Sequence, residues 1–120
     1  AQTLKAFMEA DAYDGPSLII AYSHCINQGI DTSKGLTQQK LAVDSGAWTL
    51  FRYNPDLIAQ DKNPFTLDCK EPTVPLKDYV YNETRFRMLT QSDEARAEML
   101  LAEAEKDAKR QWEFYKKLAE

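Results

Sequence analysis

Pro16-Ser-Leu-Ile-Ile-Ala-Tyr-Ser-His-Cys-Ile-Asn-Gln-Gly-Ile30 is the stretch on which the fold turns. It begins at a Gly-Pro break, runs through an apolar centre at 18–22, and delivers Ser23, His24 and Cys25 just beyond it. A short continuous apolar run bounded by turn signals predicts a strand buried on both faces. In an open α/β sheet, chemistry sits in the crevice at the carboxyl ends of the strands. Cys25 therefore falls where such a fold presents ligands and reactive groups. Spacing alone makes this a location and not a function, because a small buried residue at a strand end accounts for Cys25 at least as well.

On the N-terminal side, Leu4, Phe7 and Met8 stand at helical spacing, which predicts a short amphipathic helix over 3–12. Tyr13-Asp-Gly-Pro16 ends it, with Gly15 free to take φ > 0 and Pro16 unable to continue a helix. Helix, tight turn and buried strand form half of a βαβ crossover without its preceding strand. The chain also starts Ala-Gln-Thr-Leu inside the helical pattern. Both features suit a piece of a longer polypeptide, although processing or a removed tag would leave the same start.

On the C-terminal side, 27–33 is a polar loop ending in three good N-caps, Asp31, Thr32 and Ser33. A helix is predicted over 34–45, with Leu36, Leu41 and Val43 inward, Gly35 weakening its first turn and Gly46 stopping it. The aromatic and β-favouring run 48–53 predicts a second strand and 65–69 a third, paired as a long-looped hairpin across a polar connection. Pro72 and Pro75 make 70–75 a rigid extended linker. Short helical pieces follow at 76–81 and 84–89. The clearest helix is predicted over 92–118, capped by Ser92 and striped by Ala97, Leu101, Ala104, Ala108, Trp112, Tyr115 and Leu118. Glu105–Lys109 and Glu113–Lys117 are i, i+4 pairs on it.

The 120 residues suit a single domain, with an α/β part over 1–55 and a hairpin strand, Pro-rich linker and helices over 56–120. A hydrophobic fraction of 43% allows a modest core. The net charge is −4 and no basic patch is interleaved with aromatics, which argues against a nucleic-acid partner. No apolar run approaches the ~20 residues of a membrane span, and no signal-peptide pattern opens the chain. Two cysteines are too few for a disulfide scaffold and fit a cytoplasmic protein with reduced thiols.

Five stretches carry a resemblance. They are Tyr13-Asp-Gly-Pro-Ser-Leu-Ile-Ile-Ala-Tyr-Ser-His-Cys with its loop to Ile30, Lys34-Gly-Leu-Thr-Gln-Gln-Lys-Leu-Ala-Val43, Trp48-Thr-Leu-Phe-Arg-Tyr-Asn-Pro55, Lys62-Asn-Pro-Phe-Thr-Leu-Asp68 and Tyr79-Val-Tyr-Asn-Glu-Thr-Arg-Phe-Arg-Met-Leu89. In this order, and over essentially the whole chain, they resemble the pyruvate:ferredoxin (flavodoxin) oxidoreductases. The segment is similar to the C-terminal part of their thiamine-diphosphate-binding domain. The resemblance implies an α/β fragment of a thiamine-diphosphate-binding fold with a small sheet, flanking helices and a long C-terminal helix. It implies oxidative decarboxylation of pyruvate to acetyl-CoA, with electrons leaving through [4Fe–4S] clusters to ferredoxin or flavodoxin. It matches Cys25 to the fourth cysteine of the cluster nearest the thiamine. Thiolates hold such clusters, and a loop at a strand end can reach a shared site.

The same resemblance places the other three cysteines, and the motif that grips Mg²⁺ and the diphosphate, upstream of Ala1. Neither thiamine diphosphate nor a cluster is then expected on this chain by itself, and no catalytic residue is assigned within it. The expected partners are the remainder of the same polypeptide, a second subunit of a homodimer, the electron acceptor, pyruvate and coenzyme A.

Other candidates have plainer readings. His24 reads as a strand-end histidine meeting solvent or backbone, and Cys69 as a packed thiol. Asp11, Asp14 and Asp31 are unpaired as acid and base. Trp48, Phe51 and Tyr53 read as core or interface, and Arg85 and Arg87 as docking contacts to the rest of an enzyme. The rival to the oxidoreductase reading is an acidic, non-catalytic interaction module, which would tolerate loss of the Cys25 thiol.

Overall fold

Seven regular elements follow one another along the chain in a computed structural model that describes all residues, Ala1–Glu120. Helix α1 is Gln2–Ala12 and α2 is Gly35–Asp44. Strand β1 is Phe51–Tyr53 and β2 is Phe65–Leu67. Helices α3, α4 and α5 are Leu76–Val80, Thr84–Ser92 and Glu94–Ala119. One-turn 3₁₀ segments sit at Ile26–Gln28 and Thr32–Lys34, and a longer one at Pro55–Gln60. The architecture is helix-rich with one small antiparallel sheet.

The predicted hairpin forms. Phe51 pairs with Leu67, Arg52 with Thr66 and Tyr53 with Phe65. Its connection is more ordered than its polar composition predicts, because Pro55 starts a 3₁₀ segment and the Asn54 side chain caps it. Phe51 and Phe65 of the sheet lie against α5, while Tyr53 faces outward. The rings of Phe51, Phe65 and Tyr115 stack with centroids 5.0–5.9 Å apart. A second small core joins Ala42 of α2 to Leu76 and Tyr79 of α3, with Trp48 and Val80 against it. The extended 70–75 linker closes this core. Asp44 O accepts from the amides of Thr73 and Val74, and the Pro72 ring lies over Gly46 where a Cβ would sit.

The predicted strand at 17–22 is not formed. The segment is extended, but no other part of the chain pairs with it, and Leu18 and Ile20 are 83% and 70% exposed. A doubly buried strand needs a neighbour on each edge and a layer on each face. The parallel sheet expected of an α/β fold is therefore absent from this structure, and the two-stranded hairpin is its sheet. Smaller differences have local causes. Helix α1 stops because Tyr13 turns to an extended conformation, and its ring covers Gly15, which does not use positive φ. On α2 the buried positions are Gly35, Gln38 and Ala42, so Leu36 points to solvent. Asp93 caps α5 through the amide of Arg96, while Ser92 ends α4 by donating to Met88 O. Ala97 and Trp112 of the predicted stripe are buried, but Ala104 and Leu118 face outward. The ion pairs of α5 are i, i+3, Glu103–Lys106 and Asp107–Arg110, in place of the i, i+4 pairs.

The chain leaves much surface uncovered. Its accessible area is 8885 Å², against ~6,600 Å² for a compact monomer of this mass. Its radius of gyration is 17.0 Å, against roughly 14 Å. No large side chain is wholly buried.

Helix α1 shows the consequence, because it buries none of its residues. Polar contacts attach it to the hairpin. Arg52 grips Asp68 with two bonds, 2.6 and 2.8 Å, and reaches Glu9 at 2.5 Å, while Gln2 donates to Asp68 at 3.1 Å. The bidentate geometry and low exposure, 17% for Arg52 and 11% for Asp68, lift this pair above an ordinary surface bridge. The Arg52 guanidinium holds the Asp68 carboxyl below its ordinary value of 3.8. Stabilisation of this sign is complete above the unfolded-state value and is lost as pH falls through the lower folded-state one. Asp68→Asn should lower stability at pH 7 by roughly 1.5–3 kcal/mol. The gap between urea titrations of the two proteins should begin to narrow as pH falls below 3.8 and close once pH passes the lower folded-state value; a gap that stays unchanged through that range would refute the assignment.

Candidate functional site

Cys25 stands in a loop fastened on both sides. On the upstream side the Tyr22 ring stacks on Trp48 at 5.3 Å, and its hydroxyl meets that of Tyr79. Burial, followed by this hydroxyl contact, pushes the Tyr79 phenol above its ordinary range. His24 packs on Gly35, the first residue of α2. A Cβ there would come within 2.5 Å of His24 Cε1 and 2.7 Å of Nε2, so only glycine leaves room for the imidazole. Gly35 is thus a seat for His24 and not simply a weak first turn. The His24 Nδ1 atom is buried without a hydrogen-bond partner, while the residue as a whole is only half-buried, in keeping with a histidine that meets solvent.

On the downstream side, Cys25 precedes the 3₁₀ turn Ile26–Gln28, and its carbonyl accepts from Gln28 N at 3.0 Å. Gly29 closes the turn at φ 74°, a conformation that favours glycine. Its carbonyl accepts from Thr84 N at 3.0 Å and from Thr84 Oγ1 at 2.7 Å. Arg85 adds a bond to Asn27 O at 3.4 Å. The loop is therefore latched to the start of α4, 55 residues later in the chain. Arg85 and Arg87 both make contacts within the chain, Arg87 to Thr84 Oγ1.

Between these fastenings Cys25 is an exposed free thiol. Cys69 differs. It is half-buried, accepts from Leu50 N at 3.4 Å and donates to Leu50 O at 3.7 Å, and burial pushes its thiol up. Cys69 is a packed thiol, as its position after a strand predicts. Nowhere do three or more His, Cys, Asp or Glu side chains gather in a metal-binding group. Cys25 therefore stands outside any such group, a single exposed thiol. Tyr22, Gly29, Gly35 and Thr84 were not separable from ordinary loop and helix residues by spacing. Gly29 and Gly35, two of only four glycines, were the one visible signal.

No protein-family model matches the chain. Three similar proteins have names that agree with one another. A pyruvate-flavodoxin oxidoreductase of Trichormus variabilis is 54% identical over 117 residues, which is 98% of this chain and 10% of that protein. A pyruvate:ferredoxin oxidoreductase of Moorella thermoacetica is 50% identical over 119 residues, again 10% of its length. A probable pyruvate-flavodoxin oxidoreductase of Escherichia coli is 36% identical over 118 residues. The chain is similar to one stretch of these enzymes. It spans about a tenth of the length of the curated relatives it matches.

The seat under His24 has a measurable signature, because His24 is the sole histidine. Gly35→Ala should turn the imidazole out and move its single set of ring-proton NMR signals toward solvent-exposed values. In a helix interior alanine gains roughly 0.5–1 kcal/mol over glycine, and at Gly35, the first residue of α2, a smaller gain of the same sign is expected. That gain should appear on denaturant titration when Gly35→Ala is made in a His24→Ala background, and be cancelled when His24 is present. Equal gains in both backgrounds would show that the two residues do not press on each other.

Proposed function

We propose that this chain is a segment of a pyruvate:ferredoxin or pyruvate:flavodoxin oxidoreductase, and that within it Cys25 supplies one thiolate to a [4Fe–4S] cluster. The observation that carries the reading is the 36–54% identity to proteins of these names over nearly the whole chain. The exposed Cys25 thiol, in a loop fastened on both sides, supports the assignment of the ligand. In this reading the chain completes a thiamine-diphosphate-binding domain, and the diphosphate, its Mg²⁺ and the other three cysteines are held by other parts of the polypeptide. The substrates are pyruvate and coenzyme A, the acceptor is ferredoxin or flavodoxin, and the assembly is a cytoplasmic homodimer. No helix of the chain is long and apolar enough to cross a membrane.

A [4Fe–4S] cluster passes electrons one at a time. The chain's own residues would position its ligand. Tyr22 and His24 hold the approach to Cys25, and the Gly29–Thr84 latch holds its exit, so the thiolate meets the cluster with little ordering left to do. The exposed, unpaired 17–22 segment has free backbone donors and acceptors along its length. It is suited to insertion between strands supplied by the rest of the polypeptide, a position that would bury Leu18 and Ile20.

The test uses the full-length protein, with Cys25→Ser beside wild type. Iron and inorganic sulfide are counted, and low-temperature EPR spectra of the reduced proteins are recorded. The variant should lose one cluster's worth of iron while the other signals stay. Pyruvate-dependent reduction of the acceptor should fall by more than the ~10–100-fold typical of a lost outer-shell contact. Unchanged iron and spectra would make Cys25 a packing residue and leave this segment a scaffold.

A further inference from the structure

Helix α5 carries a second apolar stripe that the fold does not use. Leu100, Ala104, Asp107, Gln111, Phe114 and Leu118 follow one another at intervals of four and three residues, the spacing of a coiled-coil seam. All six are exposed, Phe114 at 57% and Leu118 at 41%, while Trp112, about a third of a turn round the helix, is buried, and buried Ala97 borders the stripe at its N-terminal end. The first five line one open groove of about 980 Å³, whose other wall includes Phe86 of α4. A face of this length, about 27 Å at 1.5 Å per residue, is that of a helix-packing surface.

The stripe is complementary to itself when reversed. Turned about Lys109, it sets Leu100 opposite Leu118, Ala104 opposite Phe114, and Asp107 opposite Gln111. The small alanine faces the large ring, as interdigitating layers require. The Gln111 amide makes no hydrogen bond within the chain, and Asp107 uses one carboxylate oxygen on Arg110, so the other is free to accept from Gln111. Charge agrees with this direction. Residues 94–106 carry four acidic and two basic side chains, and 107–119 carry two acidic and four basic. The helix dipole explains opposite charges only in the terminal turns, whereas Glu103, Glu105, Lys109 and Arg110 lie near the middle of α5. A parallel pairing would set like halves together; the antiparallel one sets acidic against basic.

We infer that the outer face of α5 pairs antiparallel with α5 of a second copy of this chain, in the register that sets Ala104 against Phe114. The contact is isologous, so each pairing occurs twice about a two-fold axis. It is independent of the chemistry proposed for Cys25 and stands if that assignment fails.

Disulfide trapping in the full-length protein reads both partner and register. In the double variant Ala104→Cys/Phe114→Cys the two thiols of one chain are ~15 Å apart along the helix, too far to join. The predicted register brings each beside its counterpart in the other copy. Mild oxidation should double the mass on a non-reducing gel, with the link mapped by mass spectrometry to 104–114. Each single variant, whose like positions are held apart in this register, should run as wild type. Both positions are exposed, and the single variants control for folding. No 104–114 link in a folded double variant, or like-to-like links in the single variants, would overturn the inference.

Discussion

The buried Gln38 amide is the contact on which this fold depends most. It donates to Tyr79 O at 3.0 Å and to Glu83 Oε1 at 3.3 Å, and accepts from Asn82 Nδ2 at 3.1 Å. One side chain of α2 thereby satisfies groups on α3 and on the turn that leads into α4. Gln38 and Glu83 are 4% and 3% exposed, so an unmade bond here would leave a buried polar group unpaired. The apolar core beside them, Ala42 with Leu76 and Tyr79, is too small to set the relative placement of these helices alone. A polar network that must be completed supplies the geometric definition that packing lacks.

The Cys25 loop inherits its position from that network. Glu83 leads directly into Thr84, whose amide and hydroxyl hold Gly29 O, and Tyr79 carries the hydroxyl that meets Tyr22. Gly35, on which His24 rests, is one turn from Gln38 on the same helix. Each side of the loop is thus tied to an element that Gln38 joins. An exposed thiol on a loop of this kind combines access with a defined location.

Stability is distributed unevenly across the molecule. The ring stack of Phe51, Phe65 and Tyr115 and the Gln38 region are dense, whereas α1 is attached chiefly by the Arg52–Asp68 group, and 17–22 makes no backbone hydrogen bond. The exposed apolar residues of 17–22 and of the outer face of α5 exceed what a small monomer ordinarily leaves in water. Both are surfaces on which further protein would add stability.

Much of the local structure was legible from residue order alone. The α1 pattern, the long-looped hairpin, the Gly46 stop, the 70–75 linker and the long final helix all follow from periodicity, turn residues and proline, which act within a few residues of themselves. Strand formation at 17–22 was not, because an apolar run states what must be buried without supplying the neighbours that bury it. The orientation of Leu36, Ala104 and Leu118 was likewise decided by which helices pack together, a matter of contacts between distant residues. The sequence by itself determined the hairpin and most of the helices, and marked Cys25 as a residue just past the apolar run. Only the tertiary structure decided that His24 sits on Gly35 and that Thr84 holds Gly29, because such contacts join residues whose spacing along the chain carries no periodic signal.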